Sequence, residues 1–218
     1  MLQYILFDLD GTLTDSAEGI TKSVDHALRT VAGIETADLS TLTPYIGPPL
    51  IDGFMENHGL DHDTAVRCKN AYRARYEQVG LFENRVYEGV PAMLDALRDA
   101  GLTLAVATSK PEFFSRRILS HFGLDDRFTD IIGATMDGLI GTKTEVIREA
   151  LRRLGDPAPG EVLMVGDRRH DIHGAHENGL RALGVLFGFG SADELRAAGA
   201  DYLAATPSET ADIILSLR

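Results

Sequence analysis

Three things are scarce in this sequence. Cys68 is the only cysteine in 218 residues, so no internal disulfide can form, and a reducing compartment, the cytosol, is the expected setting. No apolar run approaches the roughly 20 residues that a membrane span needs. The opening stretch MLQYILFDLDG has no basic flank and carries carboxylates within its apolar part, so it does not read as a signal peptide. Cations are also scarce: 21 Lys and Arg stand against 33 Asp and Glu, a net charge of -12. A basic face for the phosphate backbone of a nucleic-acid polymer is therefore not expected, nor is docking on anionic lipid. The charge fits a soluble protein kept apart by self-repulsion. No internal repeat and no low-complexity stretch occurs, and 44% hydrophobic with 25% charged residues is ordinary globular composition. At about 150 residues per domain, the length allows one domain and a fraction.

What is present is an alternation of strands and helices. Tyr4 to Leu9 is a short apolar run ending in acids and Gly11, the mark of a buried strand. Ile20, Val24, Ala27, Leu28 and Val31 then define a helical face. The segment TLTPYIGPPL breaks regular structure, and Leu50 to His58 and Thr64 to Val79 read as two more helices, with Tyr72, Tyr76 and Val79 on one stripe. Cys68 sits in the second of these between Arg67 and Lys69, whose charges would favour a thiolate; the simpler reading is an incidental helix residue. No convincing strand lies between Asp15 and about Asn84. Beyond Val86 strands return: Leu102 to Ala107, Asp130 to Ala134, Val162 to Val165 and Ala182 to Phe187, with helices between them and two short helices at the end. Apolar strands alternating with helices predict an α/β fold with a Rossmann-like doubly wound parallel sheet. The helical stretch makes residues 15–85 an inserted α-helical domain, and residues 1–14 and 86–218 the α/β core.

Ligands of such sheets lie beyond the carboxyl ends of the strands, so the residues there are expected to carry the chemistry. After the first strand, DLDGTLTDS places Asp8 and Asp10 on either side of Leu9. Two ionised carboxylates this close require a cation nearby, and hard divalent ions such as Mg2+ favour oxygen donors. After the second core strand, Thr108 and Ser109 precede a helix whose free N–H groups suit a phosphate, although a plain helix cap explains them equally well. Lys143 stands in the loop before another helix, where a cation opposes the helix dipole unless an anion is near. After VLMV come Gly166, Asp167 and, four residues on, Asp171, which could also be only a cap. His170, His173 and His176 read as helix-surface residues, since nothing completes a zinc set. Each element is modest alone. Their arrival at four successive loops of one sheet edge is the signal.

In their order and spacing, DLDGTLTDS, LAVATSKP, TKTEVI and VGDRRHD resemble the haloacid dehalogenase superfamily. More narrowly, the chain is similar to its phosphoglycolate phosphatase and 5'-nucleotidase-like branch, with YIGPPL, FENRVYEGV and GVLFGFGSADEL extending the likeness across the chain. The resemblance implies an HAD-like core with a helical cap at residues 15–85, and a Mg2+-dependent phosphate monoester hydrolase. By the same resemblance, Asp8 is the nucleophile that becomes an aspartyl phosphate. Asp10 is the general acid and base. Mg2+ is held by the Asp8 carboxylate, the Asp10 main-chain carbonyl and Asp167, while Thr108, Ser109 and Lys143 bind the phosphoryl oxygens. Asp171 supports the metal-bound waters or the Lys143 ammonium. No motif residue is missing, and Arg168 with Arg169 is a local variation.

The implied partner is a small phosphorylated metabolite, a 5'-nucleotide slightly ahead of phosphoglycolate, acted on by a cytoplasmic monomer or homodimer. Substrate choice would fall to the cap, with candidates in Thr43 to Leu50 and at Arg73, Arg75 and Tyr76. A phosphomutase uses the same nucleophile and acid, and a non-catalytic phosphate-binding regulator stays open as a further alternative. A haloalkanoate dehalogenase needs neither Asp10 nor metal, and a phosphonate hydrolase needs a cap lysine motif not seen here.

Overall fold

Short aliphatic runs build the centre of the molecule, for which a computed structural model describes residues 1–218. Six strands, β1 (Tyr4–Phe7), β4 (Thr103–Pro111), β5 (Asp130–Ala134), β6 (Val162–Gly166), β7 (Arg181–Val185) and β8 (Tyr202–Ala204), form one sheet in the order β5-β4-β1-β6-β7-β8. All neighbours are parallel, with Phe7 opposite Val106 on one side and Val165 on the other. The chain winds outward from β1 through β4 and β5, returns to the other side of β1 as β6, and winds out again. This is the doubly wound α/β arrangement, and its reversal leaves a crevice at the carboxyl ends of β1 and β6.

Alternate residues of each strand face opposite layers. Leu6, Ala105, Ile132, Met164 and Ala182 bury one face with Val146, Ile147 and Ala150 of α6 (Lys143–Arg153) and Ile172 and Ala175 of α7 (Arg169–Glu177). Each of the larger side chains among them, Val, Leu, Ile or Met, contributes about 1.5–3 kcal/mol on full burial. Elsewhere in the core, α4 (Val90–Asp99) packs on α9 (Pro207–Ser216), and α5 (Glu112–His121) packs on β4 and β5. The carboxyl-terminal segment differs from the expected pair of helices: β8 runs between α8 (Ala192–Ala197) and α9. Three residues, Tyr202–Ala204, are too few to show an alternating pattern.

The chain divides into two compact units, Met1–Thr14 with Val86–Arg218, and Asp15–Arg85. It passes between them through β2 (Thr14–Asp15) and β3 (Arg85–Val86), a two-residue pair of strands too short to register as sequence pattern. The second unit is helical, with α1 (Ala17–Ala27), α2 (Leu50–His58) and α3 (His62–Arg75). Gly19 is required there, because a Cβ would overlap the Gly80 carbonyl. Tyr72 and Tyr76 stack at 5.2 Å and are buried, as their shared stripe predicts. Val79 is instead 50% exposed. The backbone widens into a π-turn over Tyr76–Gly80, where the Leu81 N–H donates to the Tyr76 carbonyl at 2.7 Å, and the helical phase slips. Cys68 is buried, and burial pushes its thiol up despite the opposing effect of Arg67, so it is not activated. No helix is long and apolar enough to cross a membrane.

Candidate active site

Four strand ends meet at the crevice. β1 ends at Phe7, the Asp8 N–H still donates to the Val165 carbonyl of β6 at 2.9 Å, and the chain then turns. Gly11 makes the turn at φ +84, a left-handed conformation that disfavours a side chain, and a Cβ here would also overlap the Asp167 carboxylate. Asp167 follows β6 directly. Lys143 is the first residue of α6, whose start is fixed by a reciprocal cap between Thr142 and Glu145. Asp171, in the first turn of α7, accepts from the Arg168 N–H at 3.0 Å through Oδ2. It is therefore a helix cap, and through its other oxygen it is also part of the site.

The Lys143 ammonium lies 2.7 Å from Asp8 Oδ1 and 2.8 Å from Asp171 Oδ1, and donates to the Ala107 carbonyl at 3.1 Å. Burial works to lower its pKa, but Asp171 and Asp8 outweigh burial and hold the ammonium above its ordinary range. Asp167 is fully buried. Its Oδ2 accepts from the Phe189 N–H at 2.7 Å, while its Oδ1 has no hydrogen-bond partner. Burial, then Asp171 and Asp8, push the Asp167 carboxyl well above the usual carboxylate range. Burial also raises Asp171; Lys143 pulls it back and Asp8 adds to the rise, leaving it pushed up to about 6.

Oxygens of Asp8, Asp167 and Asp171 all lie within 4.8 Å of one another. Asp8 and Asp171 thus share one ammonium, and the neighbouring Asp167 Oδ1 is left without a donor. The donor set is all oxygen and carries excess negative charge, which suits a hard divalent cation.

Asp10 lies apart from this cluster: its Oδ2 accepts from the Lys110 ammonium at 2.6 Å. β4 runs on past the expected end at Ala107 to Pro111, so Thr108 is buried within it and accepts from the Lys110 N–H at 3.3 Å, and Ser109 follows half-buried. Among the residues singled out from sequence, then, Asp8, Lys143, Asp167 and Asp171 are in mutual reach, and Lys110 links Asp10 with Thr108. Sequence reasoning misses Lys110 and the Phe189 N–H. The first lies within the TSKP segment, but its partner is 100 residues away; the second is a backbone group with no side-chain signature. The histidines stay outside the cluster, and His176 pairs with Asp201 at 3.1 Å. In the second unit, Arg75 is committed to Glu83 and Ser23, and Tyr76 is buried. The Arg75 bonds and the Tyr72–Tyr76 stack lie within that unit.

Residues 5–185 match the model of the haloacid dehalogenase-like hydrolase family, and the chain belongs to that family. It is 51% identical over 193 residues to a 5'-nucleotidase of Pseudomonas aeruginosa, covering 88% of this chain and 86% of that protein. It is 44% identical over 192 residues to tyrosine-protein kinase PtkA of Mycobacterium tuberculosis; the match covers 88% of this chain but only 64% of that longer protein. Over 98% of its length it is 30% identical to a phosphoglycolate phosphatase of Vibrio vulnificus, 96% of which is covered. Among solved structures, a predicted phosphatase from Clostridium acetobutylicum superposes with a TM-score of 0.95 at 46% identity, with 99% of each chain covered.

Proposed function

We propose that this protein is a Mg2+-dependent phosphate monoester hydrolase that works through an aspartyl phosphate on a small phosphorylated metabolite, a 5'-nucleotide ahead of phosphoglycolate. One observation carries the reading: three buried carboxylates lie together at the crevice of the sheet with one lysine paired to two of them, while a fourth, Asp10, pairs with Lys110 instead. A purely structural cluster has no use for that excess of buried negative charge.

Phosphoryl transfer depends on alignment and charge neutralisation. Asp8 attacks phosphorus while Lys143, already against Asp8, draws the phosphoryl oxygens in and offsets their repulsion. Thr108 and Ser109 complete the phosphate contacts. Asp10 gives its proton to the departing oxygen as the phosphorus–oxygen bond breaks, then takes one from the water that hydrolyses the aspartyl phosphate. Asp171 keeps Lys143 in line. Asp8, Asp167 and the Asp10 main-chain carbonyl would hold Mg2+, and Asp171 lies close enough to join them directly or through water. The bound ion would neutralise charge on the transferring group. Residues 15–85 would act as the cap that selects the leaving group.

The preference for a nucleotide rests on the 51% identity to the 5'-nucleotidase, against 30% to the phosphoglycolate phosphatase. Phosphate release from nucleoside 5'-monophosphates, phosphoglycolate and sugar phosphates, assayed in parallel with Mg2+ and with chelator, tests the reading. Metal-dependent release is expected, fastest from a nucleotide. No release from any ester would overturn the phosphatase reading, and faster release from phosphoglycolate would reverse the substrate order.

A further inference from the structure

Lys110 belongs to neither the metal cluster nor the expected phosphate contacts, yet it is deeply placed. Its side chain is 6% exposed and that of its partner Asp10 is 13% exposed. Two features mark its place. Lys110 lies where the pairing of β4 with β5 shifts register, between Thr108 and Pro111, and such irregularities recur next to active sites. The Lys110 N–H also bonds back to Thr108 Oγ1, which ties the turn to the end of the strand. The result is a carboxylate with two unlike oxygens: Asp10 Oδ2 is engaged by the ammonium at 2.6 Å, and Asp10 Oδ1 is buried without a hydrogen-bond partner.

We propose that Lys110 is a positioning residue for the acid–base step, fixing Asp10 by Oδ2 so that Oδ1 is the atom that transfers the proton. This rests on the phosphatase reading above. The arrangement serves both half-reactions. In the first, the bond from Asp8 to phosphorus forms, the phosphorus–oxygen bond of the ester breaks, and the proton on Asp10 Oδ1 goes to the leaving oxygen. In the second, water attacks phosphorus, the bond to Asp8 breaks, and Asp10 Oδ1 takes the water's proton. In each state Oδ2 remains an acceptor for the ammonium, so Lys110 need not let go. A displaced carboxylate would lose the hydrogen-bond reach that proton transfer demands.

A lysine that only stabilised the fold would not discriminate between leaving groups. A lysine that positions the acid must, because nitrophenolate departs readily without a proton and phenolate does not. The test is single-turnover release of the leaving group from p-nitrophenyl phosphate and phenyl phosphate, with Mg2+, in wild type, Lys110→Met and Lys110→Gln. For both variants, release from phenyl phosphate should fall at least about tenfold further than release from p-nitrophenyl phosphate, a part of the roughly 10²–10⁴-fold that general acids contribute. Lys110→Arg should recover part of the difference, and adding Lys110→Met to Asp10→Asn should cost little more, because the lysine acts through Asp10. Equal losses on the two esters, or no loss on phenyl phosphate, would overturn the proposal. It fails equally if the losses from Lys110→Met and Asp10→Asn add in full, and, should Lys110→Met not fold, if Lys110→Gln slows the two esters equally. Wild type inert towards both esters would instead overturn the phosphatase reading, which keeps the two failures apart.

Discussion

The two units each contain a network of buried or half-buried charge, and the networks are built on opposite plans. In residues 15–85, Arg75 grips Glu83 with both guanidinium nitrogens at 2.8 and 3.1 Å and also reaches Ser23, while Lys22 bridges Glu83 at 3.2 Å and Glu18 at 2.6 Å. Two cations meet two carboxylates, and both Glu83 oxygens are satisfied. Burial alone would raise the Glu83 carboxyl, but its bonds to Arg75 and Lys22 outweigh burial and hold it below its ordinary value. At the crevice of the sheet, Asp8, Asp167 and Asp171 lie together, Lys143 pairs with the first and third, and two of these acids are pushed upward. A balanced network joins α1 and α3 and asks for nothing more. The unbalanced one is costly unless a further cation or a reaction makes use of it, and that imbalance marks the chemistry.

The sharpest way to break this contrast is to remove its chemical centre. Asp8→Asn keeps the shape of the side chain and deletes the nucleophile, so turnover should fall by about 10⁴-fold or more with the fold intact. Steady-state assays and circular dichroism check the two halves; full retained activity would deny Asp8 its role. The next effect is on stability. Lys143→Met leaves Asp8 and Asp171 facing each other without their shared cation, and loss of one partner from a buried ion cluster costs about 3–5 kcal/mol. Urea denaturation at neutral pH without metal should show it; a loss below about 1 kcal/mol would mean that the lysine does not hold the acids together.

How far could this contrast be read from the chain alone? Asp8, Lys143, Asp167 and Asp171 were legible because each follows or opens a regular element whose position is set by local pattern, and the doubly wound topology brings those ends together. Lys110 was not, since its partner Asp10 lies 100 residues away and no local spacing reports the pair. Arg75 and Tyr76 stood as candidate substrate contacts, with helix packing the simpler reading of each. Their commitment to Glu83 and to the Tyr72 stack depends on packing across helices, and no spacing within one helix reports it. Val79 fell off its stripe and β8 was missed because patterns of a few residues carry little phase: one π-turn resets the first, and three residues cannot establish the second.

Metal sharpens the comparison further. With Mg2+ at about 100 times its dissociation constant the folded state should gain about 2.7 kcal/mol, lost on chelation and read as a fall in Tm. Asp167→Asn should abolish that response and, without metal, melt above metal-free wild type, because it removes a buried charge repelled by Asp8 and Asp171. A variant that still responds to Mg2+ like wild type would take Asp167 out of the metal site. The pH dependence follows from the same imbalance. The Asp171 carboxyl rises from an ordinary 3.8 to about 6, so between those values the folded state holds more protons than the unfolded one. Its contribution is present below about 3.8 and is lost as pH rises through about 6. The difference in stability between metal-free wild type and Asp171→Asn should therefore shift against the wild type over that window, and Mg2+ should suppress the shift.

The smallest effect belongs to the balanced network, and its sign is reversed. Glu83 is held below its ordinary value of 4.5, so its contribution is present above about 4.5 and is lost as pH falls through the lower folded value. Because the Arg75 and Glu83 side chains are only 21% and 19% exposed and the pair is bidentate, Glu83→Gln should cost about 1 kcal/mol at pH 7, the upper end for ion pairs near the surface. The cost should shrink as the wild-type acid protonates, and it should be indifferent to Mg2+. Denaturation of wild type and Glu83→Gln at pH 7 and pH 3, with and without Mg2+, separates the two networks. If the Glu83 substitution altered the Mg2+ response, the charge in residues 15–85 would be coupled to the metal site, and a division of labour between a balanced structural network and an unbalanced chemical one would fail.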